Sequence, residues 1–154
     1  MSENIGIKTI DGKFHAGMTL KQAQNSWDYQ VLKNYSQIDK NKDNLLSADE
    51  ILINRKDKTK SQRNKALFWG LVTIPFYFFT KKAYDVKNLK DWFKPDSLFF
   101  IPPITNVIAT LATSAVNFIN FNINSKENAI IEAQLANNKQ QKQGTKLDKI
   151  SKSY

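Results

Sequence analysis

Apolar residues recur along this chain with the period of helices. Val31, Leu32, Tyr35 and Ile38 are spaced by three and four, which predicts an amphipathic helix with one buried face. Thr19, whose hydroxyl is a candidate cap, marks where that helix is expected to begin. Ser47-Ala-Asp-Glu50 reads as a capping box opening a second helix at Ile51. Two uncharged apolar runs follow, Ala66 to Thr80 and Ser97 to Ser125, separated by the charged connection Lys81 to Asp96. Glu127, Ile130, Ile131, Ala133 and Leu135 keep helical spacing for a few turns, after which the chain turns polar and lysine-bearing, the composition of a disordered segment or a loose helix. The expected class is therefore all-α. It comprises an N-terminal extension over 1–18, a helix-loop-helix over 19–65, a hydrophobic helical hairpin over 66–125 and a polar tail over 126–154.

The hairpin carries an uncharged polar stripe. Asn106, Thr110, Thr113, Asn117, Asn120 and Asn124 fall at alternating intervals of four and three, along one side of a helix. Ile104, Ile108, Leu111, Ala115 and Phe118 lie largely on the other side, and the small Ala109, Ala112 and Ser114 permit close approach of a second helix. In lipid such a stripe needs hydrogen-bond partners, from a neighbouring helix or from a water-lined path through an oligomer. In a soluble bundle it would face water. The missing charge favours embedding, because solvated helix faces normally carry charged side chains. Fifteen helical residues from Ala66 span only about 22 Å, short of a hydrocarbon core of about 30 Å. Snorkelling Lys65, Lys81 and Lys82, with continuation through Ala83 and Tyr84, extend the reach. Pro75 is tolerated in a membrane helix, Trp69, Tyr77, Tyr84 and Trp92 suit its interfaces, and Pro103 suits the first turn of the second helix.

Between the first two predicted helices lie twelve residues with oxygen ligands at regular intervals. Asp39, Asn41 and Asp43 alternate with lysines, and Leu45, Ser47 and Glu50 follow. This pattern resembles an EF-hand loop, and the resemblance covers about residues 27 to 58. It implies calcium as the cofactor, held by Asp39, Asn41, Asp43, the Leu45 backbone carbonyl, Ser47 directly or through water, and bidentate Glu50. Leu46 matches the apolar position through which such loops pair. Asn44 departs from the family, which has Gly where the chain turns at positive φ; Asn tolerates that region at modest cost, so weakened rather than abolished binding is expected. The alternative for such a stretch is an ordinary polar turn. No second loop is present, and Asp11-Gly12-Lys13 reads as a turn. An unpaired hand leaves the Leu46 edge open to a partner EF-hand or to a second copy in a homo-oligomer.

Composition narrows the chemistry further. The 154 residues contain no cysteine, which removes disulfides, thiolate metal sites and a Cys nucleophile. The single histidine, His15, has no companion, and no Ser/His/Asp set, phosphate loop or zinc-like cluster is present, so an enzyme is not expected. A net charge of +9 favours anionic surfaces. Its lysines are dispersed without an aromatic stacking platform, so specific nucleic-acid binding is not expected, whereas a lipid membrane is. No basic n-region precedes an apolar run at the N-terminus, so a cleaved signal is not expected. As a hairpin, the chain would hold its loop and tail on the same side, their combined basic charge favouring the cytoplasm. These readings combine into a calcium-binding membrane protein whose metal loop influences packing or oligomerisation of the hairpin. A pore-forming or membrane-perturbing protein with a structural calcium site, and a soluble helical interaction module, are the alternatives.

Overall fold

The protein is described from a computed structural model over residues 6–25, 29–95 and 102–151, with side chains to Gln141. It is all-α: α1 Leu20–Gln24, α2 Tyr29–Ile38, α3 Ala48–Ala83 and α4 Pro103–Ser151, with one 3₁₀ helix, Leu89–Phe93. Extended structure among the described residues consists of two isolated antiparallel bridges, Lys8 with His15 and Thr19 with Leu45. The chain divides into two compact units. One comprises 1–58 with 124–154, the other 59–123.

In the first unit, Thr19 caps a helix as expected, and Gln22 completes a capping box with it. That helix does not run to Ile38. The backbone N–H of Asn25 turns back to the carbonyls of Lys21 and Ala23, which ends α1 after five residues. A separate helix, α2, then buries Tyr35 and Ile38, with Val31 and Leu32 partly covered beside them. Trp27, at the edge of the predicted motif, lies outside the described residues. Asp11-Gly12-Lys13 forms the expected turn: Gly12 has φ 70° and donates to the Thr9 carbonyl at 2.9 Å. The turn brings Ile7, Phe14, Ala16 and Met18 into one core with Tyr35, Ile38, Leu46, Ile51 and Leu52.

The tail is helical, one of the two expected states, and its docking onto the first unit is the departure from expectation. It continues α4 without a break to Ser151, and Leu135 is buried in the same core as Ile51 and Leu52, with Ile131 beside it. Arg55 explains much of the docking. It is 5% exposed, and its guanidinium donates to Asn128 Oδ1 at 2.8 Å, the Lys8 carbonyl at 2.9 Å and Glu127 Oε2 at 2.6 Å. Lys56–Glu132 and Lys139–Asp49 add two solvent-exposed ion pairs of small individual weight. A 126–154 segment read alone is polar; its apolar minority meets the core only through this docking. The tail is thus part of the first unit.

The second unit is an antiparallel helical hairpin. Ser114 Oγ donates to the Ala66 carbonyl at 2.8 Å, and the Thr73 and Thr110 hydroxyls are 3.1 Å apart. A Cβ on Gly70 would stand 3.3 Å from Ser114 Oγ, so glycine makes room for Ser114, whereas Ala109 and Ala112, expected to allow close approach as well, are exposed. Asp85, at φ 46°, ends α3: Val86 N–H bonds to Lys81 O and Asp85 N–H to Lys82 O. Tyr77 stacks on Trp92 with ring centroids 5.0 Å apart, and Trp92 joins Val86 and Val107 in a small core.

Arg55→Ala leaves Asn128 and the Lys8 carbonyl without their charged donor. A loss of about 3 kcal/mol in the first unit is expected. Hydrogen exchange of the α4 amides from 127 to 139 checks it, with faster exchange there than in the hairpin.

Candidate functional site

Loop 39–50 is built by local hydrogen bonds that leave one oxygen aside. Lys42 and Asn44 both take positive φ, 59° and 63°, so Asn44 performs the turn for which the resemblance called for glycine. Asn44 N–H donates to Asp39 Oδ2 at 3.1 Å, Asp43 N–H to Asn41 Oδ1 at 2.9 Å and Leu45 N–H to Asp43 Oδ1 at 2.9 Å. Asn41 also donates its amide to Asp43 Oδ2 at 3.1 Å. The side chains of Asp39, Asn41 and Asp43, at alternate positions, therefore fold back over one backbone turn. Asp39 is 5% exposed, and its second oxygen, Oδ1, is buried without a hydrogen-bond donor. An unpaired buried carboxylate oxygen is costly, which makes this atom the chemically incomplete point of the loop.

Glu50 joins the two ends of the loop. Its Oε1 accepts from Lys40 N–H at 2.9 Å and Asn41 N–H at 3.3 Å, while Oε2 accepts from Ser47 N–H at 2.9 Å and Ser47 Oγ at 2.8 Å. Glu50 N–H in turn donates to Ser47 Oγ at 3.2 Å. The predicted capping box is present, although it opens α3 at Ala48 rather than Ile51. Asp39, Asn41 and Asp43 share one turn, and Glu50 reaches its start. Among the described residues, however, no three Asp, Glu, His or Cys side chains gather closely enough to hold a metal ion. The carboxylates are instead oriented towards backbone N–H donors, which leaves Asp39 Oδ1 as the buried oxygen without one.

The Leu46 edge differs from expectation as well. Leu46 N–H donates to Met18 O at 2.9 Å and Gly17 N–H to Leu46 O at 2.8 Å, while Leu20 N–H bonds to Asn44 O at 3.0 Å. The edge that an unpaired hand was expected to offer to a partner is covered by Gly17 to Leu20 of its own chain, and Leu46 is fully buried. The available signal was the pair of glycines, Gly12 and Gly17, both at positive φ around a short run with alternating buried residues. His15 Nδ1 lies 3.1 Å from the Ala16 carbonyl.

Electrostatics around the loop reflect these contacts. Burial raises the Tyr35 phenol to about 12, and the nearby carboxylates of Asp39, Asp43 and Glu50 add to the rise. Burial also pushes the Glu50 carboxyl up, but the Ser47 N–H and hydroxyl and the Asn41 and Lys40 N–H groups outweigh it and leave the net value below 4.5. Asp11 behaves alike. Burial opposes its ionisation, while Lys58, Thr9 and the Lys13 N–H bring it down to about 2.

The hairpin presents a second candidate surface, with threonines buried and large apolar side chains exposed. Thr73, Thr80 and Thr110 are buried, while Leu67, Phe68, Leu71, Ile74, Phe78, Ile108, Leu111, Phe118 and Ile119 are exposed. Asn106, Thr113 and Asn117 of the predicted stripe are half-buried and Thr110 is buried, but Asn120 is exposed. Asn106 donates towards the Tyr84 hydroxyl at 3.4 Å, and Asn117 satisfies itself on the Thr113 carbonyl at 2.8 Å. Within α4, Pro103–Gln141 is long and apolar enough to cross a membrane, and only 11% of its most apolar window is buried. No other described helix meets that measure of length and composition; the apolar part of α3 is shorter. Compared with known protein families, curated proteins and solved structures, the chain matches none.

The pKa shifts predict stability bounded on both sides. Tyr35 holds its proton more tightly when folded, so its contribution is complete below about pH 10 and falls as pH rises towards 12. Glu50 and Asp11 have lowered values, so theirs is complete above about pH 4.5 and falls as acid protonates them, Asp11 down to about pH 2. Urea midpoints followed by circular dichroism across this range should decline at both ends, and Glu50→Gln should flatten the acid limb.

Proposed function

We propose that this protein binds calcium in loop 39–50 and displays that site on a membrane-associated helical hairpin. The observation that carries the metal reading is Asp39 Oδ1, a buried carboxylate oxygen without a donor at the first ligand position. A hard cation is the partner such an oxygen favours, and the neighbouring donor set consists of oxygens of the kind calcium takes. Asp39, Asn41, Asp43, the Leu45 carbonyl, Ser47 and Glu50 would hold it. A bound ion would supply positive charge to offset the mutual repulsion of the Asp39, Asp43 and Glu50 carboxylates. Three carboxylates, the Asn44 turn and the flanking Lys40 and Lys42 place the affinity in the roughly micromolar-to-millimolar range.

Membrane association is supported by the α4 stretch and by the outward apolar side chains of both hairpin helices. Lipid is the medium in which that arrangement is favourable, because Thr73, Thr110, Ser114 and Asn117 are hydrogen-bonded within the hairpin and large apolar side chains face outward. The reading extends to regulation: the loop's outgoing helix and the first hairpin helix are one element, α3, so metal binding would bias how the hairpin packs.

Calorimetric calcium titration of detergent-solubilised full-length protein tests the metal site. Saturable binding by the wild type, lost in Asp39→Ala and weakened by at least about tenfold in Glu50→Gln, is expected. Absence of binding at millimolar calcium would make the loop a capped turn.

A further inference from the structure

We infer that Lys60, Arg63 and Lys65 form a cationic collar that binds the anionic headgroups of phospholipids, a conclusion that rests on the membrane reading of the hairpin. The basic stretch before the first apolar run divides sharply by partner. Arg55, Lys56 and Lys58 are engaged with Glu127, Glu132 and Asp11. Lys60, Arg63 and Lys65 are exposed and make no ion pair among the described residues. No acid interrupts the run from Thr59 to Lys65, and Asp57, three residues before Lys60, does not pair with it.

Position on the helix favours a lipid surface over a linear polyanion. At about 100° per residue, the three cations spread over an arc of about 200° on α3. The remaining arc contains Thr59, Gln62 and Ala66, which are buried or half-buried. A nucleic-acid strand would be met by cations lined up on one face. A rod entering a bilayer is ringed by headgroups, and cations spread around its exposed circumference can each reach one. Immediately beyond the collar the same exposed arc becomes apolar, at Leu67, Phe68 and Leu71. From Arg63 to Lys82 is about 28 Å at about 1.5 Å per residue, close to the thickness of a hydrocarbon core. Lysine and arginine stems can therefore lie along the apolar boundary while their charges remain at headgroup level. The other end of the hairpin is less selective for anions, because Asp85 and Asp91 stand among its lysines and pair with Lys87 and Lys94.

The test is spin-label electron paramagnetic resonance on full-length protein in phosphatidylcholine vesicles, comparing restricted spin-labelled phosphatidylserine with restricted spin-labelled phosphatidylcholine. The wild type should prefer the anionic lipid by about fivefold or more, the ratio that one interfacial cation contributes, and about 1 M salt should suppress the preference. The triple variant Lys60→Gln, Arg63→Gln, Lys65→Gln should bring it to within about twofold of unity, whereas Lys81→Gln with Lys82→Gln should retain most of it. Circular dichroism establishes that both variants remain helical. Full preference in the triple variant, or its loss in the Lys81/Lys82 variant instead, would overturn the collar while leaving membrane embedding intact. Absence of restricted lipid of either kind in the wild type would overturn the membrane reading itself.

Discussion

The Glu50 carboxylate is the constraint on which the first unit depends. One side chain receives N–H groups from Lys40 and Asn41 at the start of the loop and from Ser47 at its end, while its own backbone N–H is bound by the Ser47 hydroxyl. The loop is thereby closed and α3 is started by the same residue. Ile51 and Leu52 follow directly, and their burial with Leu46, Tyr35 and Leu135 joins the helix start to the core. A change at Glu50 therefore touches the loop, the cap and the packing together. The proposed metal would compete for this carboxylate with four hydrogen bonds, which is a physical reason to expect moderate affinity.

The two units solve different solvation problems. The first packs apolar side chains inward and uses Arg55, itself buried, to hold α4 through two hydrogen bonds and the Lys8 carbonyl through a third. The second puts threonines between its helices and large apolar side chains outside. Exposing that apolar surface to water is costly, and a hydrocarbon medium, as proposed, removes the cost. Near the start of α3 the cations divide as well: Arg55, Lys56 and Lys58 pair with acids, whereas Lys60, Arg63 and Lys65 are exposed and make no ion pair among the described residues.

Local chemistry was the most legible part of the sequence. The Ser47–Glu50 box, the Thr19 cap, the turn at Gly12, the Asn44 positive φ and the Pro103 helix start all depend on neighbours within a few residues. The long-range pairings were not legible. Gly17 to Leu20 against Leu46 requires a backbone partner that leaves no side-chain signature, and α4 docking joins Arg55 to residues more than seventy positions away. The tail misled because its polar composition dominates, although Ile131 and Leu135 continue a three-and-four spacing that begins far upstream in α4. The predicted ligands occupy one turn, but their orientation is set by which N–H groups compete for each carboxylate, and composition does not encode that competition.

Backbone amide NMR of the full-length protein during calcium titration tests the central claim most directly, because Lys40 and Asn41 N–H report on Glu50, and Asn44 N–H reports on Asp39. Saturating shifts at these three amides, with much smaller changes at Lys87 and Asn88 in the hairpin connection, are what calcium ligation by Asp39 and Glu50 predicts. Amides of loop 39–50 that stay unmoved through millimolar calcium would contradict it.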